Sequence, residues 1–285
     1  MFYLTRNADL LESYRATRAE RERAEESLAD SSAGLVFEPE EHRYFLGKRE
    51  MASVSSIVEY YAPFDAEQKS ISASLNPRHP LFGKDPKEIR AIWEEAGRQA
   101  ANAGTDLHAF GEACYLYMIG REDEIDSQFY DRIYPEGLMA IDPKEISLAR
   151  WWAENDWVRY APVAKETRIV NTELGYAGTF DLLLYDRYNY SYPVRDYKSN
   201  KDLDRWIGGE MLRPPLSMLK HNDIGKYTVQ QTLYTIQLRR CGLNVNSNSL
   251  IWLKEDGYEE RALEMQYDRV VNYAAQTYLQ SIKNK

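Results

Sequence analysis

The chain has 285 residues, of which 44% are hydrophobic and 28% charged, and its formal net charge is −9. These values predict a globular protein of one large domain or two small ones, and the acidic charge argues against indiscriminate binding of phosphate backbones. Met1–Leu10 lacks the basic and then apolar pattern of a signal peptide, and no apolar run reaches the roughly 18 residues of a membrane span. We therefore expect a cytoplasmic protein with no membrane contact.

The two cysteines, Cys114 and Cys241, are far apart in the sequence. They cannot form a zinc knuckle or a four-cysteine iron–sulfur site, because both need several cysteines at ligand spacing. Cys114 falls in an apolar helical stretch and Cys241 directly precedes a helix-ending glycine. We expect both to be small core residues in a reducing compartment.

The first third of the chain predicts a charged helix, a hairpin and a short helix. Residues 7–30 contain no glycine or proline and are rich in Ala, Glu and Arg, which predicts a solvated helix. Its sparse apolar positions favour a peripheral role over coiled-coil or partner binding. Residues 35–51 are typical of a β-hairpin, and residues 53–61 predict a short helix capped by Ser53 or Ser55.

The remaining elements follow in a regular order. Asp85-Pro86 predicts a helix start, with helical patterning from Lys87 towards Met118, and an acidic, variable-looking connection spans 120–143. The later elements are a helix at 144–157, strands at 163–170, 175–186 and 191–198, a helix at 226–241 closed by Gly242, strands at 247–254 and 258–265, and a helix at 268–283. This order predicts an α/β fold: a central mixed β-sheet flanked by helices, with an N-terminal helical and hairpin elaboration.

Asp196 and Lys198 flank Tyr197 at the end of the third predicted strand of this series. Side chains two residues apart on a strand point to the same face, so the carboxylate and the ammonium project together and the tyrosine points away. Most isolated triplets of this kind are surface ion pairs. The triplet alone is therefore a weak indication of chemistry.

Asp181 strengthens that indication, because it lies in an otherwise apolar stretch on the preceding strand. A buried carboxylate is costly unless a cation or hydrogen-bond donors compensate it. Pairing of the two strands as a hairpin would bring Asp181 and Asp196 together into an oxygen-rich site suited to Mg²⁺ or Mn²⁺. The alternative, that Asp181 caps a turn, fits poorly with the apolar run after it. Gly178 would let another backbone approach closely.

A candidate histidine ligand lies on the long helix. Gly104, His108 and Glu112 share one helix face, in a stretch of small residues that suggests close packing. A lone helical histidine is more often structural, yet His108 could complete the coordination begun by the two aspartates. Glu112 could orient His108 or contact a metal-bound water; a simple intrahelical pair is an equally good interpretation.

Three further residues are weaker candidates. Gln230 and Tyr234 share a helix face and offer an amide and a phenol to phosphate or water, although most such pairs are amphipathic surface. Glu166, on the first of the three strands, could be an extra acidic ligand or hydrogen-bond acceptor. A solvent-facing Glu166 remains an equal alternative.

Residues 195–226 reverse the sign of the global charge, with seven Lys or Arg against five Asp or Glu. A local excess of this size permits a nucleic-acid groove without demonstrating one. Lys201, Arg205 and Lys226 are the candidate DNA-binding residues within it.

Four motifs in order, G-T-x-x-H, G-x-x-D, D-x-K and Q-x-x-x-Y, resemble the RecB-like branch of the PD-(D/E)XK nuclease superfamily over about residues 100–255. The hairpin segment and residues 211–234 are also similar to nuclease-like proteins of tailed bacteriophages and to the mitochondrial genome maintenance exonuclease group. The resemblance implies a restriction-endonuclease-like core at about 98–266. We therefore divide the chain into a charged N-terminal helix, 1–34, and a single nuclease domain, 35–285.

The resemblance also implies a division of roles. The implied ligands of Mg²⁺ or Mn²⁺ are His108, Asp181, Asp196 and the backbone carbonyl of Tyr197. Lys198 would position or activate the attacking water and stabilise charge on the phosphate, with Gln230 and Tyr234 as further catalytic residues that support the site. Supporting positions would be Gly104, Glu112, Glu166 and Ser199, the last where the family often has threonine. With only two cysteines, the iron–sulfur subgroup is excluded.

The implied function is a Mg²⁺-dependent DNA nuclease, and more specifically an exonuclease in phage-type DNA replication, recombination or repair. The expected partner is single-stranded or free-ended DNA, delivered by a helicase or recombinase, in the host cytoplasm if a phage encodes the chain. Two alternatives stay open: a structure- or site-specific endonuclease, and a non-cleaving DNA-binding or assembly protein that retains the fold.

Overall fold

The computed structural model describes residues 1–39, 41–206 and 209–283; Glu40, in the turn of the predicted hairpin, lies outside them. The strands are β1 (Phe2–Leu4), β2 (Leu35–Glu38), β3 (Arg43–Leu46), β4 (Arg49–Ser53), β5 (Ile133–Tyr134), β6 (Gly137–Ala140), β7 (Tyr160–Asn171), β8 (Tyr176–Asp186), β9 (Val194–Lys198), β10 (Asn248–Lys254) and β11 (Gly257–Leu263). The α-helices are α1 (Ala8–Ala16), α2 (Arg18–Ser31), α3 (Val54–Tyr61), α4 (Ala66–Leu75), α5 (Pro86–Ile119), α6 (Ser127–Tyr130), α7 (Pro143–Glu154), α8 (Asp223–Arg240) and α9 (Asp268–Lys283).

A large mixed sheet has the strand order β11-β10-β9-β8-β4-β3-β2. The eighth strand of this sheet, β7, also pairs with β8 and is not part of that linear order. β8 is the central strand: it pairs with β7 along almost its whole length, with β4 near its start and with β9 further along. β9 and β10 run parallel and are joined through α8, a crossover connection typical of α/β proteins. The expected class, an α/β fold with a mixed sheet and flanking helices, is confirmed.

Helices cover the sheet through two large apolar clusters. Leu183 and Tyr185 of β8 pack with α3, α8 and α9, whereas Leu182 and Leu184 pack with α5 and α7. Alternate residues of β8 thus serve opposite clusters, as expected for a strand covered on both faces. Among the described helices, none combines the length and apolar character needed to cross a membrane.

The predicted helix over 7–30 is two helices that meet at Thr17. The Thr17 hydroxyl donates to the Ser13 carbonyl at 2.8 Å and its N–H bonds to the same oxygen, so this residue closes α1 and precedes α2. The helices are also less solvated than expected, because Leu10 and Leu28 are buried. Sparse apolar positions were sufficient to attach this segment to the body of the protein.

The hairpin at 35–51 is extended by a third strand, because β4 pairs with β3 and continues into parallel pairing with β8. Ser53 caps α3 by accepting from the Ser56 N–H at 3.0 Å, as one of the two predicted caps. The long helix begins at Pro86, as expected, and ends before Gly120, whose φ of +80° provides the left-handed cap.

Other boundaries differ for local reasons. α7 ends at Glu154 rather than 157, because Asn155 is extended, and α8 begins at Asp223, three residues early, because Asn222 caps it. The sequence did not predict α4. The 120–143 connection contains α6, β5 and β6, and β6 pairs with β1 at the other end of the chain.

Both cysteines are free thiols. Cys114 is fully buried in the cluster between α5 and α7, as expected. Cys241 is only partly buried, because it lies at the C-cap of α8 directly before Gly242.

Candidate metal centre

Three carboxylates lie side by side on adjacent strands of the sheet. One residue beyond the Leu182–Arg195 pair, the register of β8 with β9 places Asp196 opposite Asp181. β7 lies on the other side of β8, and its register places Glu166 across from Asp181. The structure therefore brings together the two predicted aspartates. It also places Glu166 beside them, whereas the sequence had left open whether this residue faces the site or solvent.

His108 of α5 completes this group. Its Nδ1 atom lies 3.2 Å from Glu166 Oε1 and 3.4 Å from Asp181 Oδ1, and the ligand atoms of the three side chains all lie within 4.8 Å of one another. Burial lowers the pKa of His108, but Asp181 and Glu166 outweigh it and raise this pKa to about 10. His108 is therefore a charged imidazolium that bridges two carboxylates.

Glu166 reaches the group from an uncommon backbone conformation. Its φ is +41°, in the left-handed region that costs a non-glycine residue roughly 1–2 kcal/mol. Such residues cluster at functional sites, where the surrounding structure holds them in place. Burial raises the pKa of Glu166, and the neighbouring His108 opposes that rise.

The two aspartates have opposite acidities despite both being buried. Burial favours the neutral form of Asp181, but His108, Lys198 and the Tyr197 N–H, which donates at 2.7 Å, together lower its pKa. For Asp196, burial and the negative charge of Asp181 dominate and raise the pKa to about 6. Asp181 is thus the permanent anion of the centre and Asp196 the carboxylate that titrates near neutrality.

Lys198 is the cation on the same face of β9. It forms an ion pair with Asp196, and its Nζ lies 4.8 Å from the centre of the Tyr227 ring. Burial works to lower the pKa of Lys198, but Asp196 and Asp181 raise it above its usual value. Lys198 therefore keeps its charge inside the protein, as a buried ammonium requires.

Helix α8 forms another wall of the site. The Gln230 amide donates to the Tyr234 hydroxyl at 3.2 Å, and the Tyr234 ring packs on Gly178, where a Cβ atom would lie 2.7 Å from it. The close approach predicted at Gly178 is thus made by an aromatic ring and not by another backbone. Within residues 1–39, 41–206 and 209–283, the buried Oε1 of Gln230 has no hydrogen-bond partner.

Two predicted supporting residues of α5 have other surroundings. A Cβ at Gly104 would meet nothing within 4 Å, so the expected close packing is wrong even though Gly104 borders the cavity. Glu112 does not pair with His108: its carboxylate pairs with Lys165 of β7, because β7 brings this ammonium within reach of the helix. Helix spacing alone could not reveal a partner on a strand.

Ser199 is not part of the acidic cavity. Its carbonyl accepts from Lys144 Nζ at 2.8 Å, and the residue borders a separate cleft between α5 and α7. As the residue next to Lys198, Ser199 does not share the face that carries Asp196 and Lys198, because side chains alternate along a strand.

The three predicted DNA-binding residues border one neighbouring cleft of about 730 Å³, together with Lys69 and His221. Lys226 is paired with Asp223 at 2.5 Å, and Lys69 with Glu210 at 3.2 Å. The structure brings Lys201, Arg205 and Lys226 together, among acidic residues that reduce the net charge of the cleft.

Tyr227 is a functional candidate beside Lys198 that the sequence analysis missed. Its ring lies against Lys198, and its hydroxyl donates to Asn200 Oδ1 at 2.8 Å. It precedes Gln230 by three residues, so it shares that helix face. The three-residue spacing from Gln230 was the signal in the sequence that could have identified Tyr227.

The central cavity has a volume of about 660 Å³ and is bordered by all members of the charged group. Carboxylate oxygens with one imidazole form a donor set suited to Mg²⁺ or Mn²⁺, and the unpartnered Gln230 Oε1 adds an acceptor nearby. The residues present therefore fit a divalent cation.

No protein-family model matches the chain, and no curated protein matches it in sequence. Its function is therefore inferred from the residues of the cavity themselves.

Proposed function

We propose that this chain is a divalent-metal-dependent nuclease that hydrolyses phosphodiester bonds of DNA. The observation that carries the proposal is the grouping of His108, Glu166, Asp181 and Asp196 beside a buried lysine in one cavity. Metal ligands allow a bound ion to supply the nucleophilic water, and a charged lysine at the same place adds positive charge for the phosphate.

Mg²⁺ or Mn²⁺ would be held by His108, Asp181, Asp196 and the backbone carbonyl of Tyr197, with Glu166 as a further ligand or as the acceptor that orients His108. When bound, such an ion supplies a water that is nucleophilic at neutral pH and positive charge for the phosphate oxygens. His108 must release its proton to act as a ligand, so protons and metal compete for the same group. Asp181, already ionised, offers its carboxylate without that cost.

Lys198 acts on the reacting phosphate. Its buried ammonium keeps its proton beside Asp196 and supplies positive charge where negative charge grows on the phosphate oxygens. Its remaining N–H groups hold the attacking water in line. Gln230 and Tyr234 keep this side of the cavity in place through their mutual hydrogen bond.

The fold agrees with this proposal. The succession α7, β7, β8, β9, α8, β10 gives the helix–strand–strand–strand–helix–strand order to which the resemblance with RecB-like nucleases points. A restriction-endonuclease-like core at about 98–266 would contain all the site residues.

We further propose exonuclease action on single-stranded or free-ended DNA in phage-type replication, recombination or repair. The cleft with Lys201, Arg205 and Lys226 would carry the strand beside the cavity, and a helicase or recombinase would deliver it. The cleft has both signs of charge, so we expect weak, salt-sensitive binding.

The test is hydrolysis of end-labelled linear DNA and closed circular DNA, each single- and double-stranded, with Mg²⁺, Mn²⁺ or EDTA. We expect metal-dependent shortening of linear DNA and intact circles. Cleavage of circles would replace the exonuclease by an endonuclease. If no substrate is cleaved with either metal, the nuclease proposal is wrong and a non-cleaving DNA-binding protein takes its place.

A further inference from the structure

An aromatic group from the N-terminal hairpin borders the same cavity as the acidic centre. The Phe37 ring lies 5.1 Å from the His42 ring in an edge-to-face arrangement, and 4.7 Å from the Tyr44 ring. His42 is exposed and has a φ of +50°, which is uncommon for a residue with a side chain. All three residues border the cavity together with His108 and Asp181.

The hairpin is tied to the strand that carries the centre. The Tyr44 hydroxyl shares a hydrogen bond of 3.1 Å with the Thr179 hydroxyl, and Thr179 precedes Asp181 by two residues on β8. Side chains at this spacing share a strand face. The aromatic group is therefore fixed in position relative to the metal ligands.

Arg168 adds a positive charge at the same place. It is exposed, follows Glu166 by two residues on β7, and its guanidinium lies 5.3 Å from the centre of the Phe37 ring. In the part of the chain that the structure describes, it makes no ion pair and no hydrogen bond. An unpaired guanidinium beside an acidic cavity, in a protein of net charge −9, is free to bind an anion.

Ordinary packing explains only part of this group. Phe37 and Tyr44 are paired across β2 and β3, and aromatic cross-strand pairs stabilise hairpins without any ligand. This does not account for exposed His42 or for the orientation of Arg168 over Phe37. An exposed histidine ring and a half-buried phenylalanine ring next to this arginine are instead the combination that binds single-stranded nucleic acid.

We propose that Phe37, His42 and Arg168 form a nucleotide subsite. One unstacked base of the strand lies against the rings of Phe37 and His42, and Arg168 contacts a neighbouring phosphate. A base within a duplex is already stacked, so this subsite selects a single strand at the position next to the scissile bond. The inference rests on the proposed nuclease function, since it assigns a base to the strand whose phosphodiester enters the acidic cavity.

The test compares Phe37→Leu and Arg168→Gln with wild type, using Phe45→Leu, from the opposite face of the hairpin, as a matched control. Phe37→Leu keeps an apolar side chain, so the variant should remain folded. Its melting temperature, compared with that of wild type, checks this. Single-stranded oligonucleotides are used intact or with one abasic nucleotide placed at successive positions. We expect Phe37→Leu to raise KM about tenfold on the intact strand with little change in kcat, because base stacking on an aromatic ring is worth about 1–3 kcal/mol.

An abasic nucleotide at one position should raise the KM of wild type by the same factor and leave that of Phe37→Leu unchanged. Arg168→Gln should weaken binding to all these strands and lower its salt dependence. Equal KM values for wild type and Phe37→Leu, or the same loss in Phe45→Leu, would overturn the subsite while leaving the nuclease intact. If wild type cleaves no strand, the nuclease proposal fails. The subsite is then tested by fluorescence anisotropy of the same oligonucleotides in EDTA, which compares the dissociation constants of wild type, Phe37→Leu and Phe45→Leu.

Discussion

Asp196 is a ligand candidate whose charge changes within the pH range of an ordinary activity assay. Burial and the adjacent Asp181 raise its pKa to about 6, so below that pH the side chain is neutral in the metal-free protein. A neutral carboxylic acid is a poor metal ligand and a poor partner for Lys198. The metal-dependent activity therefore depends on the ionisation of Asp196, in addition to the release of the proton from His108.

At saturating Mg²⁺, where the metal displaces the proton of His108, we predict that the cleavage rate rises with pH through a midpoint at or below about 6 and is level above it. The midpoint should move upward as Mg²⁺ is diluted, because protons and metal compete for the same ligands. The measurement is the initial rate between pH 5 and 8 at several Mg²⁺ concentrations. A rate that is independent of pH across this range would contradict the assignment of Asp196.

Glu166 and Glu112 both border the cavity, but only Glu166 contacts His108. We predict that Glu166→Gln weakens Mn²⁺ binding about tenfold or more, since groups that hold a metal-binding histidine contribute on this scale. Glu112→Gln, whose partner is Lys165, should bind Mn²⁺ as wild type does. Free Mn²⁺ measured by electron paramagnetic resonance would show this, and equal affinities in the two variants would contradict it.

Strand spacing was sufficient to place Asp196 and Lys198 on one face, because the two-residue repeat of a strand is local, whereas Asp181 joined them only through the assumed pairing of the two strands. It could not place Glu166, whose inward position depends on a positive φ that no motif in the sequence records. It also could not assign a partner to Glu112, since Lys165 lies 53 positions further along the chain. The site contacts that depend on tertiary packing could therefore not be predicted from the sequence.

Helix α5 connects the centre to the core, and its two glycines at 104 and 111 have opposite surroundings. A Cβ at Gly111 would lie 2.8 Å from the Tyr197 ring, whereas one at Gly104 would meet nothing within 4 Å. Tyr197 flanks both metal-site residues of β9, so the close contact at Gly111 fixes the spacing between α5 and β9.

We predict that Gly104→Ala raises the free energy of unfolding by about 1 kcal/mol, the usual helix preference for alanine. Gly111→Ala receives the same benefit but must displace the Tyr197 ring, and overpacking costs about 1–3 kcal/mol. It should therefore be the less stable of the two variants by about 1–3 kcal/mol. Urea denaturation measures both, and equal stabilities would show that α5 and β9 are not in close contact.

The turn after β8 is organised by Asp186. Its carboxylate accepts from Arg159 at 2.6 and 3.1 Å, from the Asn189 amide at 2.8 Å, and from the backbone N–H groups of Tyr188 and Asn189. Burial opposes the charge, but these donors prevail and lower the pKa of Asp186 to about 2. The turn follows β8, and Asp186 is not among the described residues that border the acidic cavity.

We predict that Asp186→Asn lowers the free energy of unfolding by about 2 kcal/mol at pH 7, from the difference between the folded pKa and the usual value. Since the folded pKa is the lower one, this stability is present above about pH 4 and disappears as the pH falls to about 2. Denaturant titrations of both proteins at pH 7 and pH 3 would measure it. A difference that grows on acidification would contradict the assignment.

Signals within an element predicted its ends well. The cap at Ser53, the start at Pro86 and the end before Gly120 all depend on neighbours within a few residues. Elements that exist through distant partners were missed, as for β6, which pairs with β1. The break at Thr17 shows the limit of composition, because one hydroxyl divides an otherwise uniform helical segment.

At the scale of the whole molecule, the sequence predicted an α/β sheet but not its strand order. The pairing of β4 with β8 joins residues more than a hundred positions apart, and it places the N-terminal hairpin beside the acidic cavity. The resulting architecture gathers groups from α5, β7, β8, β9 and α8 into one centre. The central claim is that this centre hydrolyses phosphodiester bonds with a divalent metal.

The most direct test is the single-turnover cleavage rate of single-stranded DNA in Mg²⁺ for wild type, Asp181→Asn and Asp186→Asn. Asp181 and Asp186 are the same residue type, lie on the same strand and are 6% and 3% exposed, so the pair separates loss of the centre from loss of a buried carboxylate. We predict that Asp181→Asn loses about a thousandfold or more, a fall of roughly 4 kcal/mol in transition-state stabilisation, while Asp186→Asn cleaves at a rate near that of wild type. Cleavage by Asp181→Asn at the wild-type rate would contradict the account.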